Sequence, residues 1–99
     1  MLTEMTMYAV NGRVVLRRIG EDVLLVPVSG PAATDGGRVY PLNATAEIIW
    51  SHLVAGARVP DIVDDLVKRY EATREQVQAD VADCIETFLS EHLLNKVAL

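Results

Sequence analysis

The chain has 99 residues, a formal net charge of −5, a hydrophobic share of 51% and one cysteine. That length implies one domain with one modest core, and that apolar share is too high for a disordered chain. The acidic total opposes nucleic-acid binding, which rests on neutralising phosphates; the lone Cys84 excludes an intramolecular disulfide; no apolar run reaches the roughly 18 residues that a membrane span needs.

Basic residues cluster no more densely than Arg17-Arg18 and Lys68-Arg69. The N-terminus lacks the positive stretch and apolar core of a secretory signal, so a soluble, cytoplasmic protein is expected. The first residues show no clear period and are expected to form a flexible arm over about residues 1–9. Residues 13–19 then alternate, with Val14 and Leu16 on one face and Val15 and Arg17 on the other, which predicts a half-buried strand. Gly20-Glu21-Asp22 is a turn signal, and residues 23–28 form a second, continuously apolar strand in an antiparallel hairpin. Pro27 has no amide to donate and is expected near a strand end or on an edge. A loop rich in Ser, Gly, Pro, Ala and Asp covers residues 29–37. A third strand follows over Arg38, Val39, Tyr40, Pro41 and Leu42. It is short and flanked by Gly36-Gly37, so it looks able to leave one edge unpaired.

Asn43 is a good N-cap for a first helix with Ala46, Ile49, Trp50 and Leu53 at helical spacing, and Gly56 is a natural stop. A second helix begins near Pro60, with Asp61 in its first turn and a stripe of Ile62, Val63, Leu66, Val67 and Tyr70. Thr73 to Gln76 fits a capping box for a third helix. Its stripe is Val77, Val81, Cys84, Ile85 and Phe88, extended by Leu89. Three strands followed by three helices predict an α+β fold. A three-stranded antiparallel sheet packs on a three-helix bundle, the inventory of a winged helix with its wing strands moved to the front.

Little catalytic chemistry is legible. His52 and His92 lie apart and lack a third ligand at a sensible spacing, so no metal site is expected. Cys84 sits in an apolar stripe, and the nearby Asp80 and Asp83 would raise rather than lower its pKa. No nucleophile elbow, phosphate loop or zinc-protease pattern occurs. No catalytic residue and no cofactor are therefore expected. The acidic runs Asp61, Asp64, Asp65 and Asp80, Asp83, Glu86, Glu91 read first as solvated helix faces. On a helical wheel, however, Asp80, Cys84, Thr87 and Glu91 share one border of the apolar stripe, which could line a cleft. Trp50 reads as a core anchor. Tyr40 points opposite to Val39 and Pro41, either to cap the core or to sit at a groove.

The stretch Val23-Leu24-Leu25-Val26-Pro27, then Val39-Tyr40-Pro41-Leu42-Asn43, Thr45-Ala46 and Ile49-Trp50, and later Asp80-Val81, Cys84-Ile85, Phe88 and Leu93-Leu94, resembles the PqqD-like proteins. These are named for the D component of pyrroloquinoline quinone (PQQ) biosynthesis. The same domain is the precursor-peptide recognition element of ribosomally made, modified peptides. The resemblance spans about residues 12–94 and implies a three-stranded sheet with three helices and no enzymatic activity. It implies binding of a precursor's leader segment as an added strand against the third strand, with leader side chains entering a groove beside the third helix. It implies a partner enzyme: a radical SAM maturase that acts on the core segment or, in lasso-peptide systems, a leader peptidase instead. Carried onto this chain, the peptide-binding residues are Arg38, Val39, Tyr40, Pro41 and Leu42 of the strand and Asp80, Val81, Cys84, Thr87 and Phe88 of the helix.

The chain departs from the family pattern at four points. His92 stands where a Gly usually precedes the final Leu-Leu pair. Cys84 replaces a large apolar residue. Arg58 replaces a capping Thr. Pro41 removes one strand amide, which leaves leader pairing to the amides of Val39 and Tyr40. Acidic residues at the groove edge would favour leaders with Lys or Arg nearby. Two other readings stand beside this one. One is a winged-helix nucleic-acid binder, which the topology invites and the charge opposes. The other is a homodimeric structural subunit joined through the edge strand.

Overall fold

The computed structural model describes residues 7–34 and 38–97. Their elements in chain order are β1 (Met7–Val10), β2 (Arg13–Ile19), β3 (Asp22–Ser29), a 3₁₀ turn (Pro31–Thr34), β4 (Tyr40–Leu42), α1 (Ala44–Val54), α2 (Val59–Tyr70), α3 (Arg74–Ser90) and β5 (Leu94–Val97). β2, β3 and β4 form an antiparallel sheet in that order, packed against three helices, so the fold is α+β as the periodicities predict.

Two strands lie outside the predicted inventory. β1 and β5 pair antiparallel, from Met7 with Val97 to Val10 with Leu94. Met7, Tyr8 and Ala9 therefore belong to a strand rather than to an arm, and Tyr8 is buried; the rest of the expected arm lies outside the described residues. Neither four-residue segment is long enough to show a period. Their pairing joins the two ends of the described chain, which no local pattern can signal.

The hairpin of β2 and β3 turns through Gly20-Glu21, with Ile19 opposite Asp22. Gly20 holds φ +63°, the glycine-first order of a type II′ turn. At the hairpin's base Gly12 and Gly30 cross closely. A Cβ on Gly12 would stand 2.5 Å from the Ser29 carbonyl oxygen and 2.7 Å from the Gly30 Cα, so no other residue fits there without displacing backbone. Pro27 lies within β3 opposite Val14, beside a register irregularity and beyond the last pair with β4. Its missing amide therefore falls on a stretch with a single neighbouring strand.

Register assigns the faces. Leu16, Leu25 and Tyr40 stand in one cross-strand row, and Val23 and Leu42 in the next. This face packs on the helices, and Leu25 is completely buried. Ile49, Ile62, Leu66, Val81, Ile85 and Leu93 complete the centre of the core. Arg18 of β2 is ion-paired with Glu47 of α1, which adds a polar tie between sheet and bundle.

The helix ends follow the capping chemistry. Asn43 accepts a hydrogen bond from the Ala46 amide at 2.8 Å, and Thr73 accepts one from the Gln76 amide at 3.2 Å. Arg58 provides no side-chain cap for α2, consistent with the loss of a capping Thr there. Tyr70, assigned to the α2 stripe, is 47% exposed, because it falls on the last residue of the helix and outside the core. α3 ends with a left-handed residue, His92, at φ 62°. The His92 amide bonds the Leu89 carbonyl at 3.1 Å and the Leu93 amide bonds the Phe88 carbonyl at 2.9 Å, which is a Schellman motif. The usual Gly at this position therefore has a conformational reason, and His92 holds the same turn without one.

Candidate functional site

β4 is an edge of its sheet, and among the described residues no strand pairs with its outer side. Its pairs with β3 are Leu25–Tyr40, Leu24–Pro41 and Val23–Leu42. Residues on an antiparallel strand alternate between exchanging hydrogen bonds with one neighbour and turning those groups away. Proline has no N–H, so Leu24–Pro41 cannot be an exchanging pair. The amides of Tyr40 and Leu42 are thus directed at β3, and the backbone of Pro41 faces outward with a carbonyl only. This corrects the expectation that the Tyr40 amide serves an added strand. The outward donors are left to Val39 and Asn43, on either side of Pro41. The strand is also shorter than predicted, since Arg38 and Val39 precede it.

Beside this edge lies a groove of about 640 Å³. Tyr40, Pro41 and Leu42 form one wall; Asp80, Asp83, Cys84, Thr87, Phe88 and Glu91 of α3 form the other. The floor comes from Ala46 and Ile49 of α1 and from Leu93. α3 supplies its wall because residues 80, 84, 87 and 91 recur at helical spacing along one border of the buried stripe. Phe88 is held from behind by Trp50, edge to face, with ring centroids 5.1 Å apart. Thr87 Oγ1 donates to the Asp83 carbonyl at 3.1 Å, which fixes the rotamer it shows the groove.

The groove is apolar below and acidic at the rim. Among the described residues its lining contains three carboxylates, Asp80, Asp83 and Glu91, and no Lys, Arg or His. Arg38 answers only Glu91, Nη2 to Oε2 at 3.7 Å, while its guanidinium lies 5.5 Å from the centroid of the Tyr40 ring. Burial pushes the Cys84 thiol up to about 11, so at neutral pH it is a protonated, soft apolar surface rather than a nucleophile. Among the described residues no group of three or more His, Cys, Asp and Glu could hold a metal ion.

Of the ten residues assigned to peptide binding, the fold brings seven to the groove: Tyr40, Pro41, Leu42, Asp80, Cys84, Thr87 and Phe88. Val81 is a correction. It is completely buried, because its position on α3 faces the core, and nothing in the groove can touch it. Arg38 and Val39 are exposed beside the edge rather than within the groove. The residues missed are Asp83, which the wheel of α3 puts on the face opposite its stripe, and Leu93, together with Asn43 and with Thr45, Ala46 and Ile49 of α1. A signal for those of α1 existed: only Asn43 separates β4 from α1, so the first turn of α1 must flank the end of the strand. The second acidic cluster lies elsewhere. Asp65 accepts from His52 at 2.7 Å and from Arg69 at 3.1 Å, and these hydrogen bonds hold its carboxyl below the usual carboxylate range. Asp64 pairs with Arg74.

A small α+β domain with an apolar, acid-rimmed groove beside an open sheet edge has the geometry that strand addition requires, free main-chain groups beside side-chain pockets. The chain belongs to the PqqD family: the model for coenzyme PQQ synthesis protein D matches residues 21–94. The solved structure of TbiB1 in complex with the TbiA(beta) leader peptide is similar to it at a TM-score of 0.74 and 27% identity, covering 92% of this chain and 99% of that one. No curated protein matches the chain.

Proposed function

We propose that this chain is a non-catalytic binding protein of ribosomally made peptide biosynthesis, acting as a single domain. It captures the leader segment of a precursor peptide as an added β-strand along β4 and delivers it to a modifying enzyme, a radical SAM maturase or a leader peptidase. The observation that carries this reading is the open β4 edge running beside the groove of α3. Membership of the PqqD family and the likeness to a protein solved with a leader peptide support it. Main-chain bonds to the edge fix the register of the leader, and its alternate side chains enter the groove and supply specificity. A nucleic-acid reader is disfavoured by α3 itself, whose exposed face carries Asp80, Asp83 and Glu86, while its Arg74 is occupied by Asp64.

Isothermal titration with the leader half of the nearest encoded short peptide tests the reading. A one-to-one curve in the micromolar range or tighter, weakened by Tyr40→Ala and by Thr87→Arg, is the expected result. No binding, either to the chain alone or with the neighbouring modifying enzyme present, would overturn it.

A further inference from the structure

We infer that the cognate leader carries a lysine or arginine two residues from the apolar side chain that fills the groove, placed to meet Asp80 and Asp83. This rests on the leader-binding reading and names what the groove selects.

The two ends of the α3 wall differ in charge balance. At one end Glu91 already has a cation in Arg38, which is anchored over Tyr40. Asp80 and Asp83 lie eight to eleven residues back along the helix, about 12–16 Å away at 1.5 Å per residue. Both line the groove, both are exposed, and neither is ion-paired among the described residues. Between the two ends stand Cys84, Thr87 and Phe88, over Ile49 and Leu93, the natural seat of an apolar anchor.

Cys84 is one helical turn from Asp80, about 6 Å along the axis. In an extended peptide the next side chain on the same face is two residues away, about 6.6 Å. For a peptide strand that runs along α3, a side chain that follows the anchor at this spacing arrives beside Asp80, with Asp83 next to it on the rim. A carboxylate there would be repelled. A neutral side chain would leave both aspartates uncompensated beside an occupied groove. A cation gains a rim pairing that is modest in water and screened by salt. The other end offers no such preference, because Arg38 holds Glu91. A cationic leader would also be steered to a chain of net charge −5.

A display library of random 12-residue peptides, selected on the full chain and in parallel on the Asp80→Asn/Asp83→Asn variant, tests this. Amide NMR places each recovered peptide. Expected are groove binders enriched in Lys or Arg at a spacing of two from a bulky apolar residue, with that enrichment lost on the variant. Each such peptide should bind the variant about 3- to 10-fold more weakly at low salt, with the gap closing at high salt. Groove binders without basic enrichment, or with the same enrichment on both proteins, would overturn the inference and leave leader binding intact. Recovery of no peptide that shifts the groove would overturn the leader-binding reading as well.

Discussion

The ring of Phe88 meets Trp50 edge-on, with centroids 5.1 Å apart and planes at 74°, and the same ring lines the groove. One side chain thus belongs to both the core and the candidate site. The groove wall is as rigid as the packing behind it, because a ring wedged against an indole cannot yield to a ligand without disturbing the core.

Phe88→Ala should therefore cost about 3–5 kcal/mol of stability, the usual range for deleting a buried aromatic ring. Phe88→Leu, which keeps most of the volume, should cost about 1 kcal/mol, close to the value of the aromatic pair. Urea unfolding followed by Trp50 fluorescence measures both. No loss for Phe88→Leu would mean that the ring contact contributes nothing beyond its volume.

His92 occupies the left-handed end of α3 at φ 62°. A side chain there costs roughly 1–2 kcal/mol, against a smaller entropic cost for glycine in the unfolded chain. His92→Gly should raise stability by about 0.5–1 kcal/mol. The hydrogen bonds of Asn11 to the His92 and Leu93 carbonyls use backbone acceptors and survive the change. Thermal melts would show the gain as a higher Tm, whereas a lower one would mean that the imidazole makes a contact that outweighs the strain.

Much of this was readable in advance, and the misses share a cause. Asn43 and Thr73 declared their helices because capping is a local hydrogen bond within three residues. The β2–β3 hairpin declared itself by alternation around Gly20. The border Asp80, Cys84, Thr87 and Glu91 was legible because helical spacing is a property of one element. What escaped required knowledge of which elements meet. The pairing of Met7–Val10 with Leu94–Val97 is set by packing, whereas the floor that α1 places under β4 follows from the single residue between them. Val81 adjoins the wall in sequence but turns about 100° away from Asp80 on the helix, into the core, so adjacency to Asp80 does not place it in the groove. The direction of the Tyr40 amide follows from which pair of β4 can exchange bonds, which the strand's own sequence does not show without its partner.

Pro41 leaves the outward edge of β4 one donor short. Pro41→Val restores an N–H there and should tighten leader binding about 2- to 5-fold, the net value of one hydrogen bond. It should also raise self-association, since a proline on an exposed edge blocks strand pairing between copies. Titration calorimetry and sedimentation at several concentrations measure the two effects. Unchanged or weaker leader binding would mean that the peptide does not use this edge at Pro41.

Cys84 gives a pH signature. Its folded pKa is raised from 9.0 to about 11 by burial. The folded state therefore holds its proton where the unfolded state releases it, and stability falls as pH rises from about 9 through 11. Cys84→Ser removes this alkaline decline, and iodoacetamide should modify the native thiol far more slowly than the unfolded one at pH 8. Fast native alkylation would place the thiol in water instead.

The central claim is that a leader strand adds to β4 and faces α3, and amide hydrogen exchange followed by NMR during leader titration tests it most directly. The account predicts protection of the outward Val39 amide, little change at the Tyr40 and Leu42 amides already directed at β3, and shifts at Asp80, Cys84 and Thr87. Saturable binding that leaves Val39 and the α3 border unchanged, or that protects the β2 edge instead, would contradict it.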